Sequence, residues 1–159
     1  MLKISVKTIT IGAIIAALYV TLTFIFYWAS YGIVQFRVSE ALCILPVFTP
    51  LAIPGLFVGC LIANIFDPSA NTLLIIFGTI ATLLASILTR KLKGNIWLAV
   101  LPPIVVNSLV VGPILATICQ WDILIGIGSV GIGEAGVLYL IGVPLYFLFK
   151  KHRVERFLK

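Results

Sequence analysis

Five residues set hydrogen-bonding or charged side chains among apolar neighbours: Arg37, Glu40, Asn64, Asn107 and Glu134. A group of that kind removed from water must be paired, protonated or in contact with a polar guest, because desolvation disfavours its charged form. The chemistry these side chains offer is recognition. A carboxylate accepts two adjacent donors, an amide supplies one donor group and one acceptor, and a guanidinium presents a fork of N–H donors. Arg37 and Glu40 stand at i and i+3, where a helix brings both to one face and they partly neutralise each other, so a structural ion pair competes with a ligand role. Glu134 lies inside the last apolar tract with no cation nearby, which makes it a functional candidate in its own right. Asn64 and Asn107 serve equally well as hydrogen-bonded bridges between helices.

Reactive constellations are missing from the same inventory. The one histidine, His152, sits in a basic tail, and there is no Ser-His-Asp set, no ligand cluster and no P-loop. The chain is therefore expected not to be an enzyme, and any active uptake needs a partner or an ion gradient. Cys43, Cys60 and Cys119 lie within or at the end of apolar tracts without metal-ligand spacing, and read as small buried hydrophobes. Gly126, Gly128 and Gly131 spell G-x-G-x-x-G, but without the strand that a dinucleotide site requires they read as points of close helix approach.

The elements that must position these side chains follow from composition. A chain of 159 residues that is 62% hydrophobic and 10% charged, with mean hydropathy +1.23, cannot bury its apolar surface in one water-facing globule. Lipid must cover much of it, and residues 1–159 are read as a single transmembrane domain. The net charge of +6 does not call for nucleic acid, since the cations cluster between apolar tracts as topology signals. Nearly charge-free tracts cover 8–28, 41–66, 68–89, 94–121 and 123–149. The first exceeds the ~7–15 residue apolar region of a cleavable signal and reads as a spanning helix. Pro46, Pro50 and Pro54 divide the second tract by a reversal near 49–54, which predicts two short helices at about 35–49 and 53–66.

The expected architecture is an all-α integral membrane bundle of six transmembrane helices with N- and C-termini cytoplasmic. Six spans put every lysine and arginine except Arg37 on the cytoplasmic side: Lys3 and Lys7, then Arg90, Lys91 and Lys93, then the tail from Lys150 to Lys159. The external connections then carry Asp67 and Asp122. The two short helices fall below a hydrocarbon core of ~30 Å and must be shielded by neighbours, as are interrupted segments that line a cavity. Arg37, Glu40, Asn64, Asn107 and Glu134 all fall at mid-membrane or in its outer half, which points to one cavity open to the outside. Tyr27, Trp28, Tyr31 and Phe36 flank the first external loop and Trp121 the last. Most such aromatics form interfacial belts, while Trp28, Tyr31 and Phe36 are candidates to stack on a flat ring. Ala13 and Ala17, with Gly12 and Ala16 one step before them, form small-residue ridges on the first helix that pack against another helix, in this chain or a partner.

Four strings carry a family resemblance: Gln35-Phe-Arg-Val-Ser-Glu-Ala-Leu-Cys-Ile-Leu-Pro46, Thr49-Pro-Leu-Ala-Ile-Pro-Gly-Leu-Phe-Val-Gly-Cys-Leu-Ile-Ala-Asn64, Leu101-Pro-Pro-Ile-Val-Val-Asn107 and Val130-Gly-Ile-Gly-Glu-Ala135. Together they resemble the QueT family, substrate-binding S-components of energy-coupling factor (ECF) transporters associated with uptake of queuosine precursors. The resemblance covers nearly the whole chain. It implies a six-helix S-component fold in a prokaryotic cell membrane, an outward-opening pocket, and partners comprising a transmembrane coupling protein and two ATP-binding-cassette ATPases. It also implies no cofactor in this chain, ATP and Mg being used by those ATPases, and a ligand such as 7-aminomethyl-7-deazaguanine or queuine. Ala13 and Ala17 match the ridge by which S-components dock on the coupling protein, and Arg37, Glu40, Asn64, Asn107 and Glu134 become the pocket residues. In that reading Glu134 or Glu40 accepts from the guanine-like edge and Asn107 adds specificity. Two other readings remain on the sequence alone: a stand-alone proton-coupled carrier using Glu134 as relay, and a membrane scaffold whose polar residues knit helices together.

Overall fold

The computed structural model describes residues 6–32 and 34–154; the terminal cations Lys3, Arg156 and Lys159 lie outside the described residues. Among the described residues five longer α-helices, α1 (Val6–Ile25), α2 (Ala52–Ile65), α3 (Leu74–Lys91), α4 (Ile96–Cys119) and α5 (Ile123–Lys151), surround a 3-10 helix at Val38–Val47, and a single α-helical turn, Tyr27–Ser30, follows α1. Among the described residues α1, α3, α4 and α5 are long and apolar enough to cross a membrane, while the 3-10 helix and α2 have 10 and 14 residues. The sequence expectation of full spans is met by four helices. Two short helices joined by a reversal also stand where the prolines predict them.

These helices are apolar nearly all round, so their buried faces are narrow. On α1 the buried residues are Ile15, Ala16, Tyr19 and Thr23, a stripe at helical spacing, while Ile9, Ile14, Leu18 and Ile25 are exposed. Only 22% of its spanning window is buried, which places α1 at the rim of the bundle. The α4–α5 pair has the most extensive contact. Between helices in lipid the driving force is close packing, not removal of apolar surface from water, and small residues permit it. A Cβ on Gly112 of α4 would come within 2.6 Å of the Ile127 Cα of α5, and one on Gly126 would run into the Gly112 carbonyl. The first and third glycines of the G-x-G-x-x-G string thus face α4, against Gly112 and Ser108, while Gly128 faces open space. Gly12 and Ala16 meet Gly55 and Gly59 of α2 in the same way, leaving Ala13 and Ala17 exposed.

The 3-10 helix is the central element. Every residue from Ser39 to Pro46 is buried, against α1, α3 and α5. Ten residues at ~2.0 Å rise reach ~20 Å, further than the same residues in an α-helix. Three residues per turn stack Glu40 and Cys43 in one column, above the Arg37 that caps the start. Its far end is held from α3, where Arg90 donates through Nη1 to the carbonyls of Pro46 at 3.0 Å and Val47 at 2.8 Å. Those carbonyls have no amide of their own helix to accept from.

The core is layered. One apolar cluster comprises residues such as Leu42, Leu45, Leu56, Val100 and Leu138, and a second comprises Leu74, Val111, Leu115 and Val130. In the register of each helix the polar residues fall between them: Thr79 and Thr82 follow Leu74, Asn107 precedes Val111, and Glu134 stands between Val130 and Leu138. The second cluster lies toward the end of the bundle carrying the connections that follow α1, α2 and α4, called the loop end below.

Candidate functional site

The polar layer encloses a cavity of about 20 Å³, room for one water-sized molecule, lined among others by Arg37, Glu40, Asn64, Asn107 and Glu134. The five polar residues singled out from the sequence thus converge from four elements. Toward the loop end lies a second cavity of about 130 Å³, bounded by Tyr31, Gly32, Gln35, Ser69, Leu115, Cys119 and Trp121.

Arg37 is positioned by its place just before the 3-10 helix, with extended backbone at φ −82° and ψ 94°. Its side chain crosses to α2 and the following loop, donating through Nη1 to Asn64 Oδ1 at 2.9 Å and through Nη2 to Asp67 Oδ2 at 3.5 Å. Arg37 thus pairs with Asp67, and the structural alternative weighed from the sequence, an Arg37–Glu40 ion pair, is not formed. The neighbour three residues along the chain loses to an acid thirty residues away because the guanidinium leaves the 3-10 column altogether. Asp67, expected only as an external-loop charge, is buried and also caps the loop by accepting from the Ser69 N–H at 2.7 Å. Burial raises its carboxyl above the ordinary value of 3.8, against the lowering effects of the Ser69 N–H and Arg37.

Asn64 is held on both sides. Its Oδ1 accepts from Arg37, and its Nδ2 donates to Cys60 Sγ and Thr79 Oγ1, each at 3.3 Å. Glu40 is equally committed, accepting from the Tyr19 hydroxyl of α1 at Oε1 and from the Cys43 thiol at Oε2 over 2.9 Å. Cys43 and Cys60 are buried as expected, but act as polar partners, Cys60 sharing a 3.2 Å hydrogen bond with Thr82.

Glu134 and Asn107 differ from these. Asn107 Nδ2 donates to Glu134 Oε1 at 2.7 Å, which joins α4 to α5. The remaining atoms of the pair, Asn107 Oδ1 and Glu134 Oε2, are buried without a partner, as is Arg37 Nε. A buried polar atom left unmatched costs about 1–3 kcal/mol. Here the cavity wall holds two acceptors and one donor of that kind.

The aromatic candidates separate. Tyr31 lines the second cavity, donates its hydroxyl to the Ala63 carbonyl at 2.7 Å and lies 5.5 Å from the Arg37 guanidinium. Burial pushes its phenol up to about 12, so it remains a donor across the physiological range. Trp28 is 88% exposed and Phe36 packs its ring over Gly136 of α5; neither lines the two cavities. Trp121, which the sequence placed at the last loop, does line the second cavity. It is delivered there by Gln120, which ends α4 in the left-handed region at φ 58° while Trp121 N–H reaches back to the Ala116 carbonyl at 2.8 Å.

Sequence reasoning missed Gln35, Thr82 and Gly78. Gln35 lines both cavities, and its carbonyl sits so close to Gly133 that no Cβ fits there. Its place beside Arg37 in the same string was the available signal. Gly78 closes a π-helical turn, Leu74–Gly78, beneath the Asn64 amide, a local winding that composition does not encode.

Curated proteins and solved structures gave no match. A family model described as QueT transporter matches residues 9–151, and these include all four elements that converge on the cavity. The chain belongs to the QueT transporter family.

Proposed function

We propose that this chain is the substrate-binding S-component of an ECF-type importer, with six membrane spans and cytoplasmic termini, and that it captures a queuosine precursor of the 7-deazaguanine type from outside the cell. The observation that carries the reading is the set of unmatched buried atoms on one cavity wall: Glu134 Oε2, Asn107 Oδ1 and Arg37 Nε. A guanine-like edge brings an N–H and an amino group side by side with a carbonyl, two donor groups and one acceptor, which is the complement of that set. Between the two carboxylates left open by the sequence, the geometry favours Glu134 for this edge, since both Glu40 oxygens are already engaged.

A bicyclic ring exceeds a 20 Å³ cavity, so binding draws on the neighbouring cavity and on movement of the side chains between them. Tyr31 and Trp121 are the aromatics available to cover the ring there. Transport then follows the scheme of the proposed class: Ala13 and Ala17 dock on a membrane coupling protein, and two partner ATPases supply the energy with ATP and Mg. The exposed placement of both alanines supports that role.

The test is mass spectrometry of small molecules released from the purified protein, paired with calorimetric titration of 7-aminomethyl-7-deazaguanine. The expected result is a co-purifying deazaguanine and saturable binding. An unrelated vitamin in its place would overturn the substrate. Uptake into vesicles by the chain alone, without ATPase partners, would instead favour a stand-alone carrier.

A further inference from the structure

Gln35 occupies a position that none of the other polar residues shares. It belongs to the walls of both the inner 20 Å³ cavity and the outer 130 Å³ cavity, so it stands where one passes into the other. The residue is 9% exposed, and its side-chain amide, engaged in no hydrogen bond among the described residues, is not sealed off: neither of its polar atoms is among the buried unmatched ones. Its backbone, by contrast, is firmly placed. The carbonyl rests on Gly133, one residue before Glu134, at a distance that excludes any side chain there. On either side Phe36 N–H donates to the Ala29 carbonyl at 3.0 Å, and the Arg37 side chain is tied to Asn64 and Asp67. A fixed backbone that holds an uncommitted amide where two cavities meet is the arrangement of a binding contact, because the amide, still open to the cavity space, can exchange water for a ligand group at little cost.

We propose that Gln35 is a specificity-determining contact, whose amide hydrogen-bonds the ligand at the neck between the two cavities. The inference rests on the reading that the inner cavity takes a polar ring. A ligand that reaches Glu134 and extends into the outer cavity must pass this amide. The amide then meets whichever donor or acceptor lies at the junction of ring and substituent.

The experiment is titration of the purified, detergent-solubilised full chain with 7-aminomethyl-7-deazaguanine, comparing the wild type with Gln35→Ala, Gln35→Leu and Glu134→Gln. Thermal midpoints without ligand check that each variant folds, and the Gly133 seat, being made by a backbone carbonyl, is kept in all of them. Leucine is close to glutamine in size and lacks the amide, so it separates hydrogen bonding from plugging. Both Gln35 variants are expected to raise Kd at least tenfold, with the loss appearing in the dissociation rate. Wild-type affinity in Gln35→Leu overturns the inference even if Gln35→Ala binds weakly, since the side chain then only fills space. Unchanged affinity in both Gln35 variants, with Glu134→Gln impaired, overturns it and leaves the parent reading standing. No binding by the wild type overturns both.

Discussion

At the scale of single residues, the buried acidic and basic side chains among the described residues divide by how fully each is matched. Arg37 and Asp67 hold one another, and Glu40 is saturated by a phenol and a thiol. Glu134 keeps one oxygen open. A hydrogen bond to a charged group contributes about 1.5–3 kcal/mol, which is roughly 10–150-fold in affinity. Glu134→Gln is therefore expected to weaken precursor binding by that factor in calorimetry, with the thermal midpoint of the unliganded protein unchanged or raised. Unchanged affinity would remove Glu134 from the site. Asp67 makes a different prediction, in pH. Its carboxyl is raised by burial, so the folded chain holds this proton more readily than the unfolded chain. The stability it contributes is fully present below the unfolded value of 3.8 and is lost as pH rises through the higher folded value. Asp67→Asn keeps an oxygen for the Ser69 N–H and stops titrating. Its thermal midpoint in detergent should vary less with pH across that window than the wild type's, and an identical profile would remove Asp67 as the source.

At the scale of elements, the 3-10 helix and the glycine contacts decide where the residues go. A ten-residue 3-10 run is uncommon, and it persists here because it is enclosed on all sides and its last carbonyls are held by Arg90. The α4–α5 seam is tight for a different reason: Gly112 and Gly126 let two backbones touch, and this brings Asn107 within 2.7 Å of Glu134. Gly112→Val is expected to destabilise by about 1–3 kcal/mol through overpacking, read as a lowered thermal midpoint in detergent. Gly128, with nothing within 4 Å, supplies the control. Gly128→Ala should be near neutral, and equal losses in the two variants would show that the seam is not the cause. Gly128 lies in a string that looks from the sequence like a single motif, yet of its three glycines only Gly126 and Gly131 face α4, so the expected cost is confined to the positions at the seam.

At the scale of the whole molecule, α1 has two roles on two faces. Its buried stripe reaches the site through Tyr19, whose hydroxyl ends on Glu40, while Ala13 and Ala17 face outward. In the proposed complex, Ala13→Trp should abolish ATP-driven uptake in cells while leaving ligand affinity of the purified chain within about twofold of the wild type, a difference below 0.5 kcal/mol. Loss of both together would mean that the substitution damages the fold instead.

Much of this was readable from the residues in order. Hydropathy and charge are sums over neighbours in the chain, so the sequence determined the membrane class, the long apolar helices, the proline reversal and the handful of side chains too polar to face lipid. By residue type it offered ring-facing and docking candidates, without deciding among them. Only the tertiary structure decided that Arg37 answers to Asp67 and not to Glu40, that Glu40 is already satisfied, that Glu134 is not, and that Trp28 and Phe36 stand apart while Trp121 and Gln35 line the cavities. The physical reason is that helices apolar on every side carry little record of which face meets which neighbour. That choice is made by backbone approach at a few glycines and by a change of winding from α to 3-10, neither of which leaves a periodic trace in the sequence.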